Sequence, residues 1–231
     1  MEQEKYGHQS LADIVTEDFR TASIFKEKGI DFCCGGKKSL QEACAEKSLN
    51  VSEVVNEIHA LKQTPNNPMQ NFKEWDVGFL ADYIVNVHHK YVIKTLPQLV
   101  FYTQKIASVH SDNHPELIIV EDLFAKINAD LLQHLQKEEE ALFPAIKEVL
   151  STGSTEAKKI IASEIDRMSD EHEFVGGAMD TINELTNNYA IPDDACNTYK
   201  VTLNLLEQFE DDLHTHIHLE NNILYPKSLE L

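Results

Sequence analysis

Four long stretches of this chain repeat apolar residues every three or four positions, the spacing of one face of an α-helix. They run approximately 74–110, 116–150, 155–188 and 194–221. The third is the plainest: Ile161, Ile165, Met168, His172, Val175, Met179 and Ile182 form one stripe, with a histidine standing where a core residue belongs. The junctions Ser111-Asp112-Asn113-His114-Pro115, Ser151-Thr152-Gly153-Ser154 and Ala190-Ile191-Pro192-Asp193-Asp194 are short and rich in helix breakers. Short connections make neighbouring helices antiparallel, so the pattern predicts an all-α, up-down-up-down four-helix bundle. Pro97 and Pro144 fall inside two of the stretches and predict a kink or local break at each. Gly176 and Gly177 come one turn after His172, and each costs about 1 kcal/mol in a helix interior. Close packing would account for them, and so would an opening that admits a small molecule.

Ahead of the bundle the first sixty or so residues read as a small domain of short helices. Ser10 begins one, with Leu11, Ile14 and Val15 on its face, and Gly29 ends the next after Phe19, Ala22 and Phe25. Then comes Asp31-Phe32-Cys33-Cys34-Gly35-Gly36-Lys37-Lys38-Ser39. Ser39 and Glu42 make a capping box for a following helix, so Cys33 and Cys34 precede a helix N-terminus with two lysines nearby. Both features favour thiolate. Thiol redox chemistry, persulfide carriage or iron transfer are the reactive readings, and tight packing in a Gly-Gly turn is the inert one. Cys44 and Cys196 read as packing residues. The polar run Gln63-Thr64-Pro65-Asn66-Asn67-Pro68 makes a linker. The expected organisation is a helical cysteine-containing domain over 1–62, a linker over 63–73 and the bundle over 74–231.

The bundle stretches carry the chemistry. His134 with Glu138, and His216 with Glu220, are pairs four apart, so each pair leaves one helix face together. Around the first, Ile127, Leu131, Ala141 and Ala145 continue the line and put the pair on the apolar stripe. A buried carboxylate costs several kcal/mol or more unless it finds a cation, a proton or a metal. His172 holds the same position on the third helix. On the first, His89 continues Val85, Val92, Leu96 and Leu99, whereas His88 aligns with the more polar Ala81, Ile84, Tyr91, Thr95 and Gln98 on an outer face. Four histidines and two glutamates from four helices can hold two metal ions about 3.5–4 Å apart with the glutamates bridging. Nitrogen and oxygen ligands without thiolate suit iron or manganese, with zinc next, and iron is the first choice. His214 and His218 lie across the helix from His216 and read as supporting or exposed residues.

Composition adds exclusions. Twenty basic against thirty-nine acidic residues give a formal charge of −19, which argues against nucleic acid or an anionic membrane as partner. No apolar run approaches the twenty or so residues that span a bilayer, and MEQEKYGHQS has no hydrophobic signal core. Four cysteines with two adjacent do not make a disulfide framework. A cytoplasmic protein is expected.

DFCCGG in a small N-terminal domain, HLQKEEEALFP and HTHIHLENNILYP together resemble the iron–sulfur cluster repair di-iron proteins, the RIC family of ScdA and YtfE type, over nearly the whole chain. The resemblance implies a hemerythrin-like bundle with an oxo- and carboxylate-bridged di-iron centre on His89, His134, Glu138, His172, His216 and Glu220, bridged by the two glutamates. It implies repair of iron–sulfur clusters damaged by nitrosative or oxidative stress, with damaged iron–sulfur proteins as partners. Donation of labile iron by the bundle, received or directed by Cys33 and Cys34, is the expected route, more that of a repair protein than of a standard enzyme. The alternatives are a di-iron nitric oxide or peroxide reductase, and a hemerythrin-like sensor of O2 or NO. If iron moves between the domains, either the linker lets the cysteines approach the metals or a homodimer brings one chain's cysteines to the other's.

Overall fold

The structure, a computed structural model, describes residues 6–65 and 71–231. Residues 66–70 of the expected linker, and the first five residues of the N-terminal segment, lie outside the described residues. The described residues are helical and include no strand. None of these helices is long and apolar enough to cross a membrane. The chain divides into two compact units, one of Met1–Leu80 with Ile217–Glu230, the other of Ala81–His216 with Leu231.

The first unit begins with four short helices: α1 (Leu11–Glu17), α2 (Thr21–Glu27), α3 (Leu40–Glu46) and α4 (Val51–Lys62). Their starts are set by side chains. Ser10 Oγ accepts from Asp13 N–H at 3.0 Å, Asn50 caps α4, and the Ser39–Glu42 box closes in both directions. Such a cap is worth about 1 kcal/mol because it satisfies an amide the helix itself cannot. Gly29 ends α2 with φ +63°, a left-handed conformation that needs no Cβ. An antiparallel bridge ties Ser10 to Ser39, through Leu11 N–H to Lys38 O and Leu40 N–H to Gln9 O. Leu11, Ile14, Val15, Phe25, Leu40, Val54, Val55 and Ile58 form the core. The last helical turns of the chain belong to this unit as well. Lys227 Nζ donates to the carbonyls of Lys73 and Trp75, and Asn222 Nδ2 to those of Phe32 and Cys33.

The second unit, Ala81–His216, makes up most of the bundle. The bundle helices are α5 (Val77–Ile84) continuing into α6 (Lys90–His110), α7 (Glu116–Lys137) continuing into α8 (Phe143–Thr152), α9 (Thr155–Leu185), and α10 (Asn197–Leu219), which runs on into α11 (Tyr225–Leu229). Gly153, with φ +70°, ends α8, and Ser154 immediately caps α9, which reverses the chain in the space of two residues. The apolar stripes meet inside: Leu96, Leu99, Phe124, Ile127, Leu131, Ile161, Met168, Met179, Leu206 and Phe209 are all buried. The fold is the expected all-α, up-down-up-down bundle preceded in sequence by a small helical domain.

Three details depart from the sequence expectation. The helix around Pro97 continues from Lys90 to His110 without a break. The fourth helical run extends to Leu229 rather than 221. Gly177 is exposed, and a Cβ built on it would meet nothing within 4 Å, so close packing does not explain it.

The three continuous rods each contain a wider, π-helical turn: Val85–His89, Glu138–Leu142 and Glu220–Leu224. Phe143 N–H reaches back five residues to Glu138 O, and Tyr225 N–H to Glu220 O. In each case a proline follows, Pro144 and Pro226, which has no N–H to offer and starts the next helix in its first turn. One extra residue per turn shifts the buried face. Beyond Glu138 the core line passes through Leu142, Phe143, Ala145 and Ile146, leaving Ala141 only half-buried.

Candidate metal centre

Each candidate ligand sits at or beside a wide turn or on a bundle stripe, and all are buried: His89, Glu138 and Glu220 at 0%, His216 at 1%, His134 and His172 at 2% exposure. Glu138 and Glu220 are the first residues of their π turns, and His89 is the last of its own. Such turns inside α-helices commonly occur at functional sites because they re-aim a side chain without ending the helix.

The atoms converge in two groups. His89, Glu138, His216 and Glu220 form one, His134, Glu138, His172 and Glu220 the other, and within each the potential ligand atoms lie within 4.8 Å of one another. Both glutamates belong to both groups. Glu138 Oε2 is 3.4 Å from His89 Nε2 and 3.4 Å from His134 Nε2. His134 Nε2 and His172 Nε2 face each other at 2.9 Å. Two imidazole nitrogens on one ion at about 2.1 Å, set at right angles, would stand about 3 Å apart, so this spacing fits a shared ion. The sequence-predicted six are therefore brought together, and their nitrogen and oxygen atoms fit a transition metal of the iron or manganese type.

The outward ring nitrogens have their own carboxylates. His134 Nδ1 is 2.9 Å from Glu171 Oε2, and His89 Nδ1 is 2.8 Å from Glu139 Oε1. A carboxylate at Nδ1 keeps the proton there and turns a bare Nε2 toward the interior, the arrangement metal-bound histidine needs. Burial, which raises a carboxyl pKa, is outweighed at Glu171 by Lys137 and His134, so Glu171 stays below the usual range and ionised. Sequence reading missed Glu139 and Glu171. Their only signal is adjacency, one directly after Glu138 and the other directly before His172.

His88 is a correction. It is buried at 4% rather than on an outer face, with Nδ1 2.9 Å from Asp212 Oδ1 and its ring stacked on His216 at 5.4 Å and 10°. The π turn Val85–His89 places two successive histidines inward, which a uniform helix period cannot anticipate. His218 is also fully buried, and burial pulls it down to about 4 despite the opposing Phe32 backbone contact. Its Nδ1 lies 3.1 Å from Asn222 Nδ2, and Phe32 packs on its ring.

The cysteine loop also differs from expectation. Cys33 is buried and its thiol is pushed well above its usual range, by the contact with Cys34 first, then by burial and by Asp31. Asp31 adds to this because it already occupies loop amides that would have favoured a thiolate. Its Oδ1 accepts from Cys33 N–H and Cys34 N–H at 2.9 and 3.1 Å, and its Oδ2 from Gly35 N–H at 2.7 Å. The Cys33 thiol itself lies 3.1 Å from Asp31 Oδ1. Lys38 is turned away to Glu46. Gly36 leaves room for the loop: a Cβ there would lie 2.6 Å from Phe32 O and 3.2 Å from Asn222 Nδ2. Asp31, Cys33 and Cys34 together form a further group of metal-capable atoms. Cys44 is buried as expected for packing, whereas Cys196 is exposed, with Sγ 3.2 Å from His110 Nε2.

A helical bundle lined by two shared sets of histidine and glutamate is a cation-binding domain of the hemerythrin type. Residues 80–228 match the family model described as the hemerythrin HHE cation binding domain, and residues 7–62 match ScdA_N, described as a domain of unknown function (DUF542). The chain belongs to the iron–sulfur cluster repair protein family. It is 33% identical to the iron–sulfur cluster repair protein ScdA of Staphylococcus epidermidis over 218 residues, 94% of this chain and 96% of that protein. With the iron–sulfur cluster repair protein YtfE of Pectobacterium atrosepticum the identity is 33% over 227 residues, 97% and 98% of the two chains. A probable iron–sulfur cluster repair protein of Haemophilus influenzae is 35% identical over 227 residues, 97% of this chain and 98% of that one.

Proposed function

We propose that this protein repairs damaged iron–sulfur clusters by supplying iron from a two-ion centre held by His89, His134, Glu138, His172, His216 and Glu220. The observation that carries this reading is the pair of ligand groups that share both glutamates. Two carboxylates common to two histidine pairs suit bridging between two ions, with an oxo bridge completing the pair. Six protein ligands leave positions on each ion open to exchange. Imidazole and carboxylate also hold ferrous iron less tenaciously than thiolate does, so iron can leave as cargo. Glu139 and Glu171 keep the histidine rings aimed inward while it does so. A cytoplasmic location accords with four free cysteines, and damaged iron–sulfur proteins are the acceptors.

Cys33 and Cys34 are assigned the receiving end of the transfer. The hydrogen bonds from Asn222 to Phe32 O and Cys33 O lie two residues past Glu220 on the same helical run. With Cys33 buried and protonated, the half-buried Cys34 is the first sulfur an acceptor would meet. Replacing both by Ala should leave iron content unchanged and abolish transfer. Undiminished transfer would remove the cysteines from the mechanism.

The decisive experiment is metal analysis of anaerobically purified protein, then mixing with an apo iron–sulfur protein, cysteine and a sulfur source. About two irons per chain, lost as the client's cluster forms, is the expected result. Iron that stays bound while nitric oxide, peroxide or oxygen is consumed or reversibly held would replace repair by reduction or sensing. Transfer that depends on protein concentration would favour a homodimer that brings one chain's cysteines to its partner's iron.

A further inference from the structure

Glu210 is 2% exposed and lies on α10, one turn before His214. Asp180 lies on α9, is exposed, and brings a carboxylate oxygen within 4.8 Å of the ligand atoms of both. Glu210 and His214 repeat in reverse order the four-residue spacing of His216 and Glu220, so they too leave one helix face together. They leave a different one. His214 precedes His216 by two residues, about 200° around the helix, and Asp180 lies eight residues beyond His172, about 12 Å along α9. The cluster is separate from the bundle's central ligands.

Its surroundings are built for a charged occupant. Asn183 Nδ2 spans the Glu210 carboxylate, 3.3 Å from Oε1 and 3.0 Å from Oε2, which orients it and leaves each oxygen a lone pair. Tyr189 is 6% exposed, and its hydroxyl lies beside Glu210 and Asn183 without making a well-formed hydrogen bond to either. A buried hydroxyl left in that state costs about 1–3 kcal/mol, and an ion with its bound water would satisfy it. Tyr189 is presented there by a turn in which Asn187, Asn188 and Tyr189 all have left-handed φ, 52°, 57° and 56°.

We propose that Asp180, Glu210 and His214 form a second cation site on the bundle, taking a divalent transition-metal ion through one imidazole and two carboxylates. The imidazole selects for ferrous-type ions over magnesium and calcium, which take oxygen ligands. Glu210 and its Asn183 clamp form the floor, and exposed Asp180 and half-buried His214 form the open rim through which the ion enters. This inference goes beyond cluster repair and does not rest on it.

The test uses the full chain carrying its resident metal, titrated anaerobically with Mn2+ in excess Mg2+. The electron paramagnetic resonance signal of the free aqueous ion reports the amount bound. One Mn2+ per chain should bind beyond the resident metal. Asp180→Asn and His214→Ala should each weaken that binding by about tenfold or more without changing the resident metal content or the helical circular dichroism. Absence of binding beyond the resident metal, or binding undiminished in either variant, overturns the proposal. Because resident metal is counted separately, an empty bundle interior would sink the repair reading and leave this one standing.

Discussion

At the scale of single residues, the six converging histidines and glutamates stand out in the sequence and the carboxylates behind them do not. A histidine in an apolar stripe, as at His172, is visible because it breaks a pattern. Glu171, its neighbour, looks like any solvent-facing acid on a helix until the fold carries it to His134 Nδ1 across 37 positions of sequence. The support has a measurable consequence. Glu171→Gln, which keeps the shape and removes the charge, should reduce metal affinity by about 10- to 100-fold while leaving the helical content intact, as a competition titration against a chelator would read. Unchanged affinity would reduce Glu171 to a surface residue that happens to touch His134. Asp31 teaches the same lesson with the opposite sign. Lysines and a helix start suggested a thiolate at Cys33, and the contact with Cys34, burial and the Asp31 carboxylate folded over the loop amides together reverse it.

At the scale of elements, the four helices follow from period and punctuation, while the wide turns follow from neither. A π turn adds one residue to a rod, and every later residue is rotated by about 100°. That is why Ala141 falls off the buried line and Leu142 joins it. The sequence does carry a trace of the device, since His134, Glu138 and Pro144 stand at the same spacing as His216, Glu220 and Pro226. Gly177 marks the other kind of irregularity. Its added Cβ would occupy open space and its helix is otherwise regular, so Gly177→Ala should stabilise the protein by about 0.5–1 kcal/mol. That corresponds to a rise in Tm of about 1–4 °C for a chain of this length. A fall in Tm would mean that α9 needs the glycine for a bend or an approach by another molecule.

At the scale of the whole molecule, an ion pair between connections distant in sequence gives stability a pH dependence. His114 sits between Asp194, at 3.0 Å from its Nε2, and Glu116, at 3.0 Å from its Nδ1. The Asp194 contact, with that of Glu116, raises its pKa against the lowering effect of burial. A histidine whose folded pKa is raised contributes stability that is fully present below its unfolded value of about 6.5 and is lost as pH rises through the folded value. Thermal melts should therefore show a part of the stability declining as pH rises above about 6.5, and that part should vanish in His114→Gln. An identical decline in the variant would assign it to other groups. The Asp194 and Glu116 side chains are 50% and 30% exposed, so the effect should also shrink with added salt.

By itself, the order of residues determined the helix count of the bundle, the short antiparallel connections, the small helical domain ahead of it and the six residues that meet inside. Apolar period and chain punctuation are local properties, and a polar residue inside an apolar stripe is conspicuous wherever the stripe ends up. Only the tertiary structure decided which carboxylates stand behind the histidines, that His88 is buried beside His89, that Cys34, burial and Asp31 hold Cys33 as a thiol, and that Asp180 joins Glu210 and His214. Those outcomes depend on inter-helix distance and on one-residue changes of register inside the rods. Neither quantity has a signature in the spacing of residues along a single helix.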